Sequence, residues 1–246
     1  MAGKEAEMSF WDHVEALRGT LFRSVLAVVL LSLVFLAFPR ALFRAVLWPT
    51  RPDFPLDRLP GIGHFSLDLI NIELSAQFFL YLKVSLLCGA VLAFPFVVWE
   101  VWKFIAPALY PHEKKSVRGA FLLASGLFYA VVTVGYFVVL PVCLLFFANF
   151  SLNDAIQNSI SLGSYMSLFT SLVFLIGLLF EFPTVIVALS GLGLVRRPQL
   201  RSGRKYAVVT MLLLAALITP SDPFSMFVLA VPLYGLYELS ILLCKS

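Results

Sequence analysis

Six apolar runs restrict what this 246-residue chain can fold into. They cover residues 21–38, 74–99, 119–147, 165–189, 206–219 and 224–243. A helix needs about 20 apolar residues to cross the hydrocarbon core of a bilayer. Only helices and closed barrels satisfy their backbone hydrogen bonds there. We therefore expect an all-α integral membrane protein with six transmembrane helices in a single membrane domain, residues 1–246.

Composition agrees with a membrane class. The chain is 61% hydrophobic and 13% charged, with a mean hydropathy of +0.95, whereas a soluble domain is about a quarter charged. A charged segment precedes the first run, and no small-residue cleavage site follows it. We interpret this run as a retained span and not as a signal peptide.

The distribution of Lys and Arg predicts the orientation. Thirteen of the 18 lie at the two termini and in the second and fourth loops. The first, third and fifth loops hold four, all of them in the first loop: Arg40, Arg44, Arg51 and Arg58. By the positive-inside rule, both termini are cytoplasmic. The first loop, residues 39–73, is then an outer cap, and its prolines predict irregular structure with short helical pieces.

Prolines and run lengths predict irregular helices. Pro95, Pro141, Pro183 and Pro232 lie inside spans, and each removes a helical hydrogen bond and favours a kink. Kinked helices suit a concave, cupped bundle. The fifth run has 14 residues, or about 21 Å of helix, which is shorter than the hydrocarbon core. Two interpretations remain open: flanking residues snorkel, or the bilayer is thinned on this side.

Glu181 lies within the apolar run LIGLLFEFPTVIV, two residues before Pro183. A carboxylate at the centre of a span costs roughly 2.5–3.5 kcal/mol, so ionisable residues there are functional candidates. We expect Glu181 and Pro183 to form a polar pocket inside the membrane. The alternative is a protonated Glu181 that hydrogen-bonds a neighbouring helix for structure alone.

Two cytoplasmic stretches are candidates for binding. SFWDHVEALR, residues 9–18, predicts an amphipathic helix leading into the first span. WKFIAPALYPHEKKS, residues 102–116, contains two prolines four residues apart and presents Glu113 on an aromatic platform. A carboxylate of this kind suits bidentate pairing with an arginine. From the residues alone, an interfacial anchor and an ordinary amphipathic loop remain alternatives.

Catalytic motifs are missing from the sequence. His112 and Glu113 lack the second histidine of HExxH, and neither GxSxG nor a phosphate-binding loop is present. Three histidines, His13, His64 and His112, do not form a convincing metal site. We therefore expect no enzyme activity, no cofactor, no metal and no nucleic-acid partner.

Several motifs together resemble the TatC family, the multi-spanning subunit of the twin-arginine protein translocase. They follow one another from about residue 8 to residue 244: FWDHVEALR, FPFVVWEVWKFIAPALYPHEKK, GYFVVLP, FLIGLLFEFP, RKYAVV, TPSDPFS and AVPLYGLYELSILL. The resemblance implies a signal-peptide receptor and translocase core in the bacterial inner membrane. It also implies export of folded proteins driven by the proton-motive force. The implied partners are twin-arginine signal peptides, single-span TatA and TatB-type proteins and membrane lipid, with a second copy of the chain as a further candidate.

The resemblance also implies roles for individual residues. Glu113 would pair with the signal-peptide arginines, and further residues from the two cytoplasmic stretches would complete the site: Trp11, His13, Glu15, Arg18, Phe104, Pro107, Tyr110 and Lys114. Glu181 and Pro183 would line the intramembrane cavity. The outer turn and partner contact would be formed by Pro220, Asp222, Phe224 and Met226.

Two positions depart from the family pattern. The family usually has Glu where Ala16 stands, and the adjacent Glu15 is turned about 100° round a helix. Met226 replaces a frequent Gln, which removes a polar group near the sixth span.

The alternative function is a proton-coupled small-molecule transporter in which Glu181 titrates.

Overall fold

The computed structural model is all-helical in the part of the chain that it describes, with one isolated backbone bridge, Ile70 to Ser161, outside the helices. It describes residues 10–55, 67–108, 119, 125–150, 153, 159–175, 177, 186, 189–190, 195–218 and 223–243. The helices are α1 Phe10–Ala37, α2 Pro39–Val46, α3 Ala76–Ile105, α4 Ser125–Asn149, α5 Leu162–Thr170, α6 Arg197–Ser202, α7 Arg204–Ile218 and α8 Pro223–Leu243. The predicted all-α class is confirmed.

Within the described residues, three helices are long and apolar enough to cross a membrane: Val14–Ala37 within α1, Ala76–Ile105 and Ser125–Asn149. A shorter apolar helix covers Leu162–Val173. The three long helices each exceed the roughly 20 residues that a span needs, whereas Leu162–Val173 does not. The chain is therefore a membrane protein with several spans.

α1 and α3 pack closely along each other in opposite directions. Arg23, midway along α1, contacts Glu100 near the end of α3, and Leu36 at the end of α1 contacts Tyr81 near the start of α3. At Gly89 the two backbones approach so closely that an added Cβ would lie 2.7 Å from the backbone nitrogen of Ser32. The close approach is the reason that position 89 needs a glycine. Backbone conformation is not the reason, because the φ of Gly89 does not lie in the left-handed region.

Tyrosine hydroxyls from other helices satisfy the carbonyl groups at two helix ends. The last four carbonyls of a helix have no partner within it. Tyr81 of α3 donates to the Leu36 carbonyl at the end of α1. Tyr165 of α5, which is buried, donates to the Val46 carbonyl at the end of α2 over 2.6 Å. The first bond joins α3 to α1, and the second joins α5 to α2.

Two of the predicted span prolines lie where the helical hydrogen bonding is altered. Pro95 has no N–H to offer the carbonyl of Val91, and the Tyr129 hydroxyl of α4 donates to that oxygen over 3.1 Å. Pro141 lies two residues after the end of a π-helical turn, Gly135–Val139, within α4. The structure thus places a compensating feature beside each of these prolines.

Short helical pieces occur in the first loop, as its prolines led us to expect. They are α2 and a 3₁₀ turn, Trp48–Thr50. Phe54, which is buried, stacks on Phe137 of α4 with ring centroids 5.7 Å apart. Farther along, the Ile70 N–H donates to the Ile160 carbonyl over 3.1 Å and so ties the loop to the start of α5.

Candidate functional site

A buried carboxylate joins α1 to α3 near the predicted cytoplasmic stretches. The side chain of Glu100 is 2% exposed. Its Oε2 accepts a hydrogen bond from Arg23 Nε over 2.6 Å, and its Oε1 accepts one from Lys103 Nζ over 2.8 Å. A buried charge is costly unless it is paired and hydrogen-bonded. Both oxygens are satisfied here, so Glu100 remains an ionised link between the two helices.

The two cations of this cluster reach solvent or headgroups. The side chains of Arg23 and Lys103 are each 53% exposed. Lys103 also lies over the ring of Trp99, with its Nζ 5.9 Å from the centroid. Long basic side chains commonly extend in this way from an apolar stem toward polar surroundings. The cluster therefore combines one buried carboxylate with two exposed cations.

Sequence reasoning missed Glu100 and Arg23. The predicted second span ended at residue 99, whereas α3 continues to Ile105 and places Glu100 inside the helix. The clue was available, because Glu100 is the single acidic residue of the apolar segment FPFVVWEVWKF. Its partner on α1 lies 77 residues earlier, and no spacing rule connects the two.

The predicted N-terminal residues lie on α1, one to three turns before Arg23. Trp11, Glu15 and Arg18 are exposed, and their spacing of four and three residues puts them on one helical face. His13 is part of α1, and its side chain lies outside the described residues. Ala16, which replaces the family's usual Glu, is half-buried.

The predicted loop residues are placed in part. Phe104 is half-buried near the end of α3, and Pro107 is exposed in the 3₁₀ turn Ala106–Ala108 that follows. This turn continues from α3 directly beyond Glu100 and Lys103. The other predicted residues of the loop lie outside the described residues: Tyr110, Glu113 and Lys114.

The predicted intramembrane and outer-turn residues are mostly outside the described part of the chain. This holds for Glu181, Pro183, Pro220 and Asp222, and for the side chain of Phe224. Met226 of α8 is half-buried and packs against the apolar core.

A second acidic residue links α7 to α8. Arg204 Nη2 donates to Glu238 Oε2 over 2.7 Å, and the Tyr234 hydroxyl donates to Glu238 Oε1 over 2.9 Å. The side chains of Arg204 and Glu238 are 48% and 31% exposed. This pair is therefore more open than the one at Glu100. Within the described residues, no cluster of three or more acidic, histidine or cysteine side chains could hold a metal ion.

Comparisons with known proteins identify the family. The family model described as "Sec-independent protein translocase protein (TatC)" matches residues 12–232. The chain belongs to the TatC family. It is 33% identical to the TatC protein of Blattabacterium over 98% of this chain and 96% of that one. It is 36% identical to that of Desulforapulum autotrophicum, over 98% and 86%, and 31% identical to that of Escherichia coli K12, over 93% and 85%.

Solved TatC structures share the fold. Two crystal structures of the twin arginine translocase receptor TatC are each 31% identical to this chain. One gives a TM-score of 0.78 over 94% of this chain and 97% of the other. The second, in DDM, gives 0.81 over 95% and 100%. The expected family is thus confirmed. The chain is a Sec-independent translocase receptor with several spans in a bacterial inner membrane, and nothing supports the small-molecule transporter alternative.

Proposed function

We propose that this TatC protein binds twin-arginine signal peptides at the end of the α1–α3 pair where α1 begins and α3 ends. The observation that carries the proposal is the Arg23–Glu100–Lys103 cluster. This cluster fixes the position of α1 along the axis of α3. The exposed face of α1 and the turn Ala106–Ala108 after α3 therefore lie toward the same end of the helix pair. This arrangement supports a site to which both of the stretches singled out from the sequence would contribute.

The proposed site combines an anchored part and the loop beyond it. Trp11, Glu15 and Arg18 provide the exposed face of α1, and Phe104 and Pro107 lead from α3 into the loop. From that loop, Glu113 would pair with the peptide's arginines in a bidentate, charge-assisted contact. His13, Tyr110 and Lys114 would shape the surroundings of that contact.

Six spans with both termini in the cytoplasm complete the proposed architecture. The count of Lys and Arg supports this orientation. The helices would form a cupped bundle whose membrane cavity is lined by Glu181 and Pro183. Pro220, Asp222, Phe224 and Met226 would mark the outer turn between α7 and α8.

Single-span partners of the TatA and TatB type belong to the same proposal. The apolar side chains of Tyr206, Val209, Leu213 and Val231 on α7 and α8 are at least 66% exposed, which supports a helix contact within the membrane. We propose that the protein itself carries out no catalysis. The proton-motive force would then supply the energy for transport.

Signal-peptide crosslinking in membranes tests the proposal. The peptide carries either its two arginines or two lysines, and the receptor is intact, Glu113→Ala or Glu73→Ala. Glu73 is the matched control, because it is an exposed carboxylate near the opposite end of α3. We expect Glu113→Ala and the lysine peptide each to lower crosslinking at least about tenfold, the cost of one charge-assisted contact.

Glu73→Ala should leave crosslinking with the arginine peptide unchanged. Crosslinking that is insensitive to both Glu113→Ala and the lysine exchange would overturn the proposed arginine contact.

A further inference from the structure

An apolar cavity opens beside α2, at the end of the α1–α3 pair opposite Glu100. Its volume is about 500 Å³, which lies within the range of pockets that bind small ligands. Five helices contribute to its wall, through Val34, Ala45, Cys88, Val132 and Phe169 among others. The cavity therefore extends from α2 toward the middle of α3 and α4.

Among the described residues of its wall, the cavity offers a ligand no polar donor stronger than the Cys88 thiol. Tyr136 lines it, but its hydroxyl donates to the Ala45 carbonyl at the end of α2. The lining residues are otherwise aliphatic, aromatic or, at Cys88, a thiol. A hydrocarbon chain suits such a wall, because a polar ligand would lose its hydrogen bonds with water and gain none.

α2 places two positive charges beside this cavity. Leu42 and Val46 are buried, whereas Arg40 and Arg44 are exposed. The arginines are four residues apart and so project from the same face. Each directly precedes an alanine, Ala41 or Ala45, that lines the cavity.

No ion pair within the described part of the chain balances the charge of the arginine pair, since neither Arg40 nor Arg44 forms one there. Like charges at this spacing destabilise a helix, and an anion between them would reverse that effect. With the orientation proposed above, they also lie on the outer side, where basic residues are otherwise scarce.

We propose that α2 and the adjoining cavity bind one anionic phospholipid. Its phosphate would accept hydrogen bonds from the guanidinium groups of Arg40 and Arg44, and one acyl chain would enter the cavity. Arginine matches phosphate geometry well, and amphipathic helices with basic polar faces bind anionic lipid surfaces. A zwitterionic lipid fits less well, because its own cation offsets the phosphate charge.

Native mass spectrometry of the purified full-length protein tests the proposal. Phosphatidylglycerol and phosphatidylcholine with identical acyl chains are compared as added lipids. The variants are the double substitution Arg40→Gln with Arg44→Gln, and the single substitutions Arg44→Gln and Arg51→Gln. Arg51 is the matched control, because it is exposed in the same loop but lies outside α2.

We expect the intact protein to retain phosphatidylglycerol in preference to phosphatidylcholine by about tenfold. The double variant should lose that preference, Arg44→Gln should weaken it, and Arg51→Gln should preserve it. Ala45→Trp, which fills the cavity, should reduce retention of both lipids. Equal retention of the two lipids by the intact protein, or an unchanged preference in the double variant, would overturn the proposal.

A photoreactive phosphatidylglycerol with a diazirine in its acyl chain locates the site independently. Crosslinks should fall within residues 34–46, 87–92, 132–136 or 169–173, which contribute to the cavity wall. Crosslinks confined to other segments would overturn the assignment. A loss of these crosslinks when single-span partners are purified with the protein would also overturn it, since a partner helix would then occupy the cavity. Neither measurement depends on signal-peptide binding.

Discussion

The α1–α3 and α7–α8 pairs use the same ionic chemistry in different surroundings. Each is joined by an Arg–Glu contact, 2.6 Å long at Arg23–Glu100 and 2.7 Å long at Arg204–Glu238. The Glu100 side chain is 2% exposed, whereas that of Glu238 is 31% exposed. Burial, not distance, therefore distinguishes the two links.

The α1–α3 pair also has the closer backbone contact of the two pairs. Gly89 lets α3 touch the backbone of α1 at Ser32, whereas Gly235 of α8 has no atom within 4 Å of an added Cβ. We infer from this contact and from the burial of Glu100 that α1–α3 is a fixed frame for the proposed peptide site and that α7–α8 is a looser pair.

The largest difference is expected from alanine substitution of the two glycines. In Gly89→Ala the new Cβ would lie 2.7 and 2.8 Å from the backbone nitrogen and Cα of Ser32, so the helices must separate. We expect a loss of about 3 kcal/mol in the free energy of unfolding, at the upper end of overpacking costs. Gly235→Ala meets no atom and should be neutral or slightly stabilising.

Unfolding of both variants by SDS titration in mixed micelles, followed by circular dichroism, measures this contrast. Equal losses in the two variants would contradict the distinction between a tight and a loose helix pair.

The second contrast concerns the two carboxylates. Glu100→Ala removes a buried link and leaves two repelling cations, and we expect a cost of about 2 kcal/mol. That figure is below the cost of breaking a fully buried pair, because Arg23 and Lys103 are half-exposed and regain hydration. Glu238→Ala should cost less than about 1 kcal/mol, as more open pairs do.

The same SDS titration measures the free energy of unfolding of both variants. Raising the salt concentration should increase the difference between their two losses of stability. Screening weakens exposed pairs more than buried ones. A Glu100→Ala variant as stable as Glu238→Ala would show that the buried cluster does not hold α1 against α3.

Much of the fold was predictable from the sequence because apolar run lengths report directly on the bilayer. The run 21–38 anticipated the membrane part of α1, and the prolines of the first loop anticipated α2 and its neighbouring turn. The run 74–99 stopped six residues short of the end of α3, directly before Glu100. The charge of Glu100 is compensated by Arg23 on another helix.

The candidate site was predictable only where a local pattern carried it. Trp11, Glu15 and Arg18 follow helical periodicity, and the prolines after α3 indicate a turn. The Arg23–Glu100 contact spans 77 residues, and the close approach at Gly89 depends on how two helices pack. Neither leaves a periodic pattern in one sequence, because both arise only from tertiary structure.

The smallest effect is expected at the proline of α3, and it tests whether the rigid pair depends on α4 as well. Pro95 leaves the Val91 carbonyl without its helical donor, and Tyr129 supplies a hydroxyl over 3.1 Å. Tyr129→Phe should therefore cost about 1 kcal/mol, the net value of one hydrogen bond. In a Pro95→Ala background the helical N–H returns to Val91, so the same substitution should cost less.

A double-mutant cycle on unfolding free energies measures this coupling. If Tyr129→Phe costs the same with and without Pro95, the hydroxyl does not compensate for the proline. α3 would then owe its position to α1 alone, through Gly89 and Glu100. A positive coupling would instead extend the rigid frame from α1 and α3 to α4, and would distinguish these three helices from the looser α7–α8 pair.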